Sequence, residues 1–486
     1  MFSTQLKSYG ARSRRKLLLS AVAAASVTGM MAIAAQGSAV DTWNVSGNGT
    51  WDATSTNWTT NGTASVYADG DAVVFPDNLS GGTITVSNVS GNGGVTPASV
   101  EFSHVNSTGG NYTFVAGTGV TAGIEGTATT VQLDASYNGT VNMGLANTYA
   151  GGTTINGGTL NLQLTGSSAP TTVNQLGSGT VTLNGGTLQL SPTSGSDAFN
   201  VTNNITLNGG TIFAADGHEH LTGTVNVTGT GSTLSDQYGG KDLFVDGPLT
   251  GSGALQVNHI GNEDFGIGSV RITGANNSYN GTITVNQSSL GIDNNTALVN
   301  ANVFVNTGPG TNGEGTGVMF TGTVSTDTNV VVHSLTMSKY GNMSLTNGTT
   351  PVTLTATDGL TLGTSAPNPA SVIDFRLTTP GASSELLVTG GDFTVDSPVT
   401  LNLAAGTGFS DSSAYELLSW AGAITPSPIT LADFNLGTVP GTQSLTISGD
   451  ALYYGTAPVP EPASLGLLVL GTIGLLLVKK RAKPVL

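Results

Sequence analysis

Three short segments of this chain repeat one pattern, in which apolar and polar residues alternate around an Asn-Gly-Gly triplet. They are TTINGGTLNL (153–162), VTLNGGTLQL (181–190) and ITLNGGTIFA (205–214). Alternation with a period of two places one face of a β-strand in a core and the other in solvent. An Asn-Gly pair supplies the positive φ angles of a tight turn. The pattern therefore predicts short strands joined by tight turns.

The spacing of these turns limits how the strands can be arranged. Asn156, Asn184 and Asn208 are separated by 28 and 24 residues, a length that suits one coil of a β-solenoid. Stacked coils would continue each strand in its neighbour and bury a narrow core of Val, Ile and Leu. A β-sandwich built from hairpins at the same turns is the alternative, because a single sequence does not reveal which strands pair.

Composition favours ordered β-structure over helices or disorder. The chain of 486 residues has 70 glycines and only 9% charged residues, which is poor material for helices. Its hydrophobic residues make up 38% and alternate with Thr and Asn, whereas disordered chains lack regularly spaced apolar residues. We therefore expect one repeat domain with very little helix.

Charge and cysteine content exclude several functions. The net charge is −16, and between Asp41 and Asp450 there are 28 acidic residues but only four basic ones, Lys241, Arg271, Lys339 and Arg376. No basic stripe is left to neutralise phosphates, so we expect no nucleic-acid partner, and divalent cations such as Ca²⁺ are the more plausible ligands. The absence of cysteine excludes disulfides, thiolate metal sites and cysteine nucleophiles.

The first 39 residues have the organisation of a signal peptide. A basic start is followed by an apolar stretch over residues 17–35 and by the small residues Gly37 and Ala39, so we expect signal peptidase to cleave after Ala39. SRRKLL at 13–18 resembles a twin-arginine export signal, and an ordinary Sec signal is the alternative. Either route sends the chain out of the cytoplasm.

The opposite end carries an apolar run followed by positive charge. Residues 463–478 are apolar, a stretch somewhat shorter than the ~20 residues that span a hydrocarbon core. Lys479, Lys480 and Arg481 follow directly, which is the charge placement that keeps a helix end in the cytoplasm. We therefore predict a C-terminal transmembrane helix, with a buried core helix as the alternative.

The lead-in to this helix, VPEP at 459–462, resembles the PEP-CTERM sorting signal of Gram-negative bacteria. The resemblance covers residues 457–486. It implies that an exosortase, a membrane transpeptidase, recognises Pro460, Glu461 and Pro462, removes the helix after transient anchoring in the inner membrane, and sends the protein to the cell surface or extracellular matrix. Both prolines disfavour helix and keep the segment extended for a protease, and Glu461 supplies one charge that a pocket can recognise.

Two stretches of the body resemble the autotransporter-associated β-strand repeat. One is GLANTYAGGTTINGGTLNL (144–162), and the other runs over residues 249–292, with Asn286-Gln287-Ser288 in place of the glycine turn. The resemblance implies an all-β, right-handed parallel β-helix of the pectin-lyase type in a secreted or surface-exposed protein. We expect a cap and first strands over 40–130, β-helix repeats over 131–380 that are clearest at 144–164 and 249–293, and a closing β-unit over 381–456.

The tryptophans are concentrated at the start of the body. Trp43, Trp51 and Trp58 lie within WNVSGNGTWDATSTNW, which resembles the segment that often precedes such repeats. Large aromatic residues are mostly buried, so we expect this cluster to cap an open coil end. Exposed tryptophans that stack on sugars are the alternative.

Candidates for chemistry are few. Asp216, His218, Glu219 and His220 could bind a metal through the alternate histidines, but no third ligand site is recognisable. Glu263 and Asp264 lack the Asp-x-Asp-x-Asp series of a calcium loop, and the four scattered bases do not form the cluster of a polysaccharide lyase. We therefore expect a non-enzymatic surface or biofilm-matrix protein without a cofactor, with extracellular polysaccharide as a partner. A polysaccharide lyase or hydrolase on the same scaffold is the alternative.

Overall fold

A computed structural model gives the fold of the body of the protein. It describes residues 39–456 except 90–92, 106–109, 165–170, 193–197, 216, 238–241, 260–268, 276, 287, 307–322, 327–328, 339–340, 348–349, 365–370 and 427. The described residues form 43 β-strands and a single 3₁₀ turn at Leu431–Asp433. The expected all-β class is therefore confirmed. The predicted signal peptide and C-terminal helix lie outside the described residues, and within the described part of the chain no helix is long and apolar enough to cross a membrane.

The strands are short and follow one another closely along the chain. Those of the first half are β1 (Val40–Trp43), β2 (Gly49–Trp51), β3 (Trp58–Thr60), β4 (Thr63–Ser65), β5 (Ala72–Pro76), β6 (Gly81–Val86), β7 (Ser99–Ser103), β8 (Asn111–Ala116), β9 (Thr130–Leu133), β10 (Thr140–Met143), β11 (Thr153–Ile155), β12 (Thr159–Leu164), β13 (Thr171–Thr172), β14 (Val181–Leu183), β15 (Thr187–Pro192), β16 (Ala198–Val201), β17 (Ile205–Leu207), β18 (Gly210–Ala214), β19 (His218–Leu221), β20 (Val225–Val227), β21 (Ser232–Asp236), β22 (Asp242–Val245) and β23 (Leu249–Gly251).

The second half continues in the same way. Its strands are β24 (Leu255–His259), β25 (Ser269–Ile272), β26 (Thr282–Asn286), β27 (Ser289–Ile292), β28 (Leu298–Asn306), β29 (Thr323–Thr326), β30 (Val330–Ser338), β31 (Asn342–Asn347), β32 (Thr350–Pro351), β33 (Thr353–Ala356), β34 (Leu360–Thr364), β35 (Val372–Leu377), β36 (Glu385–Val388), β37 (Phe393–Val395), β38 (Val399–Ala405), β39 (Tyr415–Trp420), β40 (Ile424–Thr425), β41 (Phe434–Leu436), β42 (Leu445–Ser448) and β43 (Ala451–Tyr454).

The strands belong to three sheets that the chain visits in turn. Sheet I has 11 strands in the order β4-β3-β1-β5-β7-β9-β11-β14-β17-β20-β23, and sheet III has 12 strands, of which β13-β16-β19-β22-β25-β27-β29-β31-β35-β38-β41 form one path. The other 20 strands form sheet II. From β11 to β25 the chain passes through sheets I, II and III in strict rotation, and we call each such pass a rung. Multiple parallel sheets of this kind are consistent with the predicted β-helix.

Neighbouring rungs pair in parallel and in register, so that like residues stack into columns. In sheet II, Leu160 lies beside Leu188, which lies beside Ile212, followed by Leu234 and Val257. Each of these side chains is fully buried. Burying such a side chain stabilises the fold by about 1.5–3 kcal/mol. The alternating sequence pattern thus produces an apolar interior lined by columns of Leu, Ile and Val.

The Asn-Gly-Gly turns are corners between two sheets and do not close hairpins. Strand β11 pairs with β9 and β14, and the strand after its turn, β12, pairs with β10 and β15. The expectation that an Asn-Gly pair supplies the positive φ angles holds only for glycine. The second glycine has a positive φ at Gly158 (61°) and Gly186 (63°), and in the third turn both Gly209 (94°) and Gly210 (111°) do. A Cβ on Gly186 would also lie 2.7 Å from the Gly157 carbonyl oxygen. Close stacking of successive corners therefore requires glycine here.

Antiparallel strands cover both ends of the described body. At the first end, β3 pairs antiparallel with β1 and β4, and Trp43, Trp51 and Trp58 are at most 1% exposed. The Trp43 and Trp58 rings pack edge to face, with their centroids 5.0 Å apart. These rings are inside the fold and do not form a sugar-stacking surface. At the other end, β43 pairs antiparallel with β39 and β42, which limits further pairing at a sheet edge.

Candidate functional site

The two histidines of the suspected metal site lie on the outer face of β19 but turn towards separate aspartates. His218 Nδ1 is 3.9 Å from Asp242 Oδ2, and His220 Nδ1 is 2.6 Å from Asp246 Oδ2. Both aspartates belong to the next rung. Asp216 lies outside the described residues. Among the residues that the structure describes, no group of three or more His, Cys, Asp or Glu side chains is placed to hold a metal ion.

His220 is held tightly by its surroundings. Its ring stacks on Phe244 with a centroid distance of 4.5 Å and an interplanar angle of 6°. Burial raises the pKa of Asp246, but hydrogen bonds from His220 and from the hydroxyl of Thr273 outweigh this effect and lower it overall. The Asp246 carboxylate is therefore stabilised as an anion by neighbours within the protein, as expected for a structural pair.

The same pairing recurs at every histidine of the chain, of which there are five. Each has an aspartate of another rung within ion-pair distance, and the closest atoms are 2.6 Å apart for His104 and Asp77, 2.7 Å for His259 and Asp236, and 3.1 Å for His333 and Asp358. In the three pairs that form a hydrogen bond, the histidine and the aspartate are 23–27 positions apart in the sequence. These pairs therefore form polar links between neighbouring passes of the chain.

One of these pairs is buried and superficially resembles part of a catalytic triad. His259 Nδ1 is 2.7 Å from Asp236 Oδ1, and the His259 side chain is 5% exposed. The hydroxyl of Ser288 donates to Asp236 Oδ2 over 2.6 Å. In a triad the serine would instead bond to the other imidazole nitrogen, yet Nε2 of His259 makes no hydrogen bond. The histidine therefore does not activate this serine as a nucleophile.

Two glutamates form a carboxyl pair near the C-terminal end of the described body. Glu385 on β36 hydrogen-bonds to Glu416 on β39, and the hydroxyl of Tyr453 donates to Glu416 Oε2 over 3.1 Å. Burial, followed by the hydrogen bond and charge of Glu416, raises the pKa of Glu385 to about 7.

An open groove of about 510 Å³ lies across β30, the start of β34 and the turn before β37 in sheet II. It is lined by Ser334, Leu335, Thr336, Asp358, Gly359, Thr361, Gly391 and Asp392. Asp358 and Asp392 are both exposed, and no Lys or Arg is among the lining residues. A lyase would need a cation here to neutralise an acidic sugar. Elsewhere in the body, Arg271 is bound to Asp293 over 2.7 Å.

Several predicted residues fall at or beyond the limits of the described chain. Ala39 begins the described body, where its N–H donates to Asp71 Oδ1 over 3.2 Å and its carbonyl accepts from Ala72. Cleavage after Ala39 would remove both bonds. Glu263 and Asp264 lie outside the described residues, as do the recognition triplet Pro460, Glu461 and Pro462, the membrane helix 463–478, and Lys479, Lys480 and Arg481.

A match to a known motif accounts for the C-terminal end. The described body is an all-β scaffold with multiple parallel sheets. Residues 458–481 match the PEP-CTERM protein-sorting motif, which includes the predicted triplet. No curated protein and no solved structure matches the chain significantly. The motif indicates an exported protein that is sorted to the cell surface, and it is consistent with processing by an exosortase. The resemblance to autotransporter-associated repeats stays a prediction.

Proposed function

We propose that this protein is a structural, adhesin-like component of a bacterial cell surface or extracellular matrix. The match of residues 458–481 to the PEP-CTERM sorting motif carries the proposal, because such a motif is useful only to a chain that has left the cytoplasm. The body supports a structural role, since His259 and His220 each pair with an aspartate of a neighbouring rung and Ser288 bonds to Asp236 instead of to an imidazole.

The scaffold itself suits display outside the cell. We infer a right-handed parallel β-helix of the pectin-lyase type, supported by in-register parallel pairing through successive rungs and by a continuous apolar interior. The cross-rung backbone bonds and packing replace disulfides as the source of stability, which fits a chain without cysteine. Such a scaffold presents broad polar faces to its surroundings.

Sorting follows from the chemistry of the two ends. Signal peptidase removes residues 1–39 after export by the Sec or Tat machinery, and the helix 463–478 then halts the chain in the inner membrane with Lys479, Lys480 and Arg481 on the cytoplasmic side. The extended triplet around Glu461 is presented outside the bilayer, where an exosortase of the Gram-negative envelope cleaves beside it. The body is released or transferred to the surface.

A carbohydrate-active enzyme is the second candidate, and the groove with Asp358 and Asp392 is the observation that favours it. Two exposed carboxyls beside Ser334 and Thr336 offer an acid and a base for glycoside hydrolysis. Turnover of any neutral or acidic glycan that is abolished by both Asp358→Asn and Asp392→Asn would establish the enzyme. We expect no turnover, because no Lys or Arg lines the groove and Asp358 is paired with His333 over 3.1 Å.

Surface labelling of whole cells tests the proposed function. A membrane-impermeant amine reagent and an external protease are applied to cells that make the wild-type chain or the Glu461→Ala variant. We expect the wild-type body on the outer surface or in the matrix, and the variant retained in the inner membrane. A matched Glu416→Ala variant, altered in the body, is sorted like the wild type. A wild-type chain found only in the inner membrane would contradict the proposal.

A further inference from the structure

One part of this acidic protein carries no charge at all. From residue 135 to residue 196 the sequence contains no Asp, Glu, Lys, Arg or His. This stretch supplies β11, β12, β14 and β15, which are two successive passes through sheets I and II. The following pass, β17 and β18, is uncharged as well. The outer surface of these three passes is therefore polar and electrically neutral, and residues 135–196 are the longest uncharged stretch of the chain.

The polar side chains of this region form straight columns across the three rungs. We define the neutral face as the outward residues Thr154, Thr182 and Thr206 in a first column, Asn156, Asn184 and Asn208 in a second, Thr159, Thr187 and Thr211 in a third, and Gln189 with Phe213 at the edge. All of them are half-exposed or exposed. Parallel strands fix the spacing within each column at about 4.8 Å.

The asparagine column is internally ordered. Nδ2 of Asn184 donates to Oδ1 of Asn156 over 2.9 Å, and Nδ2 of Asn208 donates to Oδ1 of Asn184 over 3.0 Å. Each bond uses one of the two amide hydrogens and one of the two carbonyl lone pairs. Donors and acceptors therefore remain available at every rung, and their orientation is fixed before any ligand binds. A preorganised surface loses less entropy when it binds a partner.

An aromatic ring lies within this polar array. Phe213 follows Gln189 in register on the outer face of sheet II and is half-exposed, between the buried Ile212 and Ala214. The adjoining Thr211 completes the third column. An exposed aromatic face beside amides and hydroxyls can cover the apolar face of a ring while its polar neighbours bind hydroxyl groups.

We propose that the neutral face docks an uncharged polysaccharide chain that runs across the rungs, with Phe213 as its stacking platform. Charge complementarity selects this occupant. A neutral face gives no attraction to a charged polymer, and the acidic body around it repels polyanions. Sugar hydroxyls are donors and acceptors at once, as are the Thr hydroxyls and Asn amides of the face. The inference rests on the proposed function, because it requires export to where such polymers occur.

Affinity electrophoresis of the full chain tests the proposal. Native gels are cast with laminarin or hydroxyethyl cellulose, which are uncharged glucans, or with polyanionic pectate. We expect at least one neutral glucan and not pectate to retard the protein. Phe213→Ser should weaken retardation about tenfold, and Thr187→Val, which removes one hydroxyl, should weaken it less. Phe244→Ser is the matched control, because Phe244 is a half-exposed ring on the outer face of β22 in sheet III, beside His220 and its partner Asp246.

Each other result overturns the assignment. Binding to pectate alone, no binding to either glucan, or an equal loss in Phe244→Ser would do so. A further outcome is a protein that binds no glucan but inhibits ice growth, or associates with itself, in a way that Phe213→Ser abolishes. Such a result would assign the face to ice or to a second copy of the chain. C-terminal processing is scored on the same strains. A processed chain that binds no glucan overturns only this inference, whereas an unprocessed chain overturns the proposed function while its glucan binding can still be measured.

Discussion

The carboxyl pair of Glu385 and Glu416 makes the stability of this protein depend on pH in a defined direction. Burial, and then the hydrogen bond and charge of Glu416, raise the pKa of Glu385 from 4.5 to about 7. A carboxyl whose pKa is raised by folding binds its proton more tightly in the folded state. The stabilisation of the folded state by this protonated carboxyl is therefore complete below about pH 4.5 and is lost as the pH rises through 7.

The magnitude follows from the difference between the two pKa values. Converted at 1.36 kcal/mol per pKa unit, this difference corresponds to about 3 kcal/mol. Glu385 is half-exposed, so solvent screening reduces the effect to about 1–2 kcal/mol. The substitution Glu385→Gln removes the ionisable group and keeps a donor for Glu416. We therefore expect the variant to be more stable than the wild type by about 1–2 kcal/mol near pH 8, and equally stable near pH 4.

Urea unfolding followed by far-ultraviolet circular dichroism measures this difference at both pH values. Glu416→Gln should stabilise the protein similarly near pH 8, and the double variant should gain less than the sum, since both changes remove one repulsion. Asp450→Asn is the control, because Asp450 is an exposed residue on the neighbouring β42–β43 turn. A Glu385→Gln variant that is less stable than the wild type near pH 8, or equally affected at both pH values, would refute the reasoning.

Three further predictions concern the scaffold. Trp51→Ala empties a fully buried position on β2 and should lower the unfolding free energy by about 3–5 kcal/mol. An unchanged urea midpoint would show that β2 is not part of the cooperative fold. Asn184→Ala breaks two hydrogen bonds of the asparagine column and should lower the unfolding free energy by about 1–2 kcal/mol in the same assay. Asn138→Ala, at an exposed residue, should leave it almost unchanged. Equal losses in the two variants would show that the column does not stabilise the fold. Addition of EDTA should leave the thermal midpoint unchanged, and a clear fall would reveal a structural cation.

The stacking of the rungs could be predicted because one corner of the fold repeats in sequence. Asn156, Asn184 and Asn208 occupy equivalent corners, and their separations of 28 and 24 residues set the length of the rungs. The apolar interior could be predicted from the alternation of apolar and polar residues along each strand. The turn chemistry could not, since the positive φ lies on glycine two positions after each asparagine, and at Gly209 also one position after it. Only pairing across rungs distinguishes such a corner from a hairpin.

Sheet III was harder to anticipate from sequence. The sequence indicated HEHL only as a candidate metal site and predicted no strand there, yet it forms β19, with the Glu219 side chain facing the interior and fully buried. Alternation fails as a signal where a carboxylate occupies an inward position. The histidine pairs were missed for a similar reason. Asp246 and His220 become neighbours only through the register of β19 with β22, which depends on the lengths of the intervening loops.

Of the candidate functional residues, too, only some could be predicted from the sequence. The sorting triplet around Glu461 could be predicted because a linear motif is contained in adjacent residues, and the motif match includes it. The neutral face is assembled from three rungs, so its columns emerge only when the strands are paired. The metal candidate at His218 and His220 had suggestive residue types, but each side chain is directed to a different aspartate.

Mass spectrometry of the C-terminal peptides tests the central claim, that this is a sorted surface protein, most directly. The native protein is isolated from the inner membrane, the outer envelope and the culture medium of the wild-type and Glu461→Ala strains. We expect surface and medium chains to end near Pro460, and the variant to keep Leu486 in the inner membrane. Detection of Leu486 in the wild-type protein of every fraction would contradict the claim and make the tail a permanent anchor.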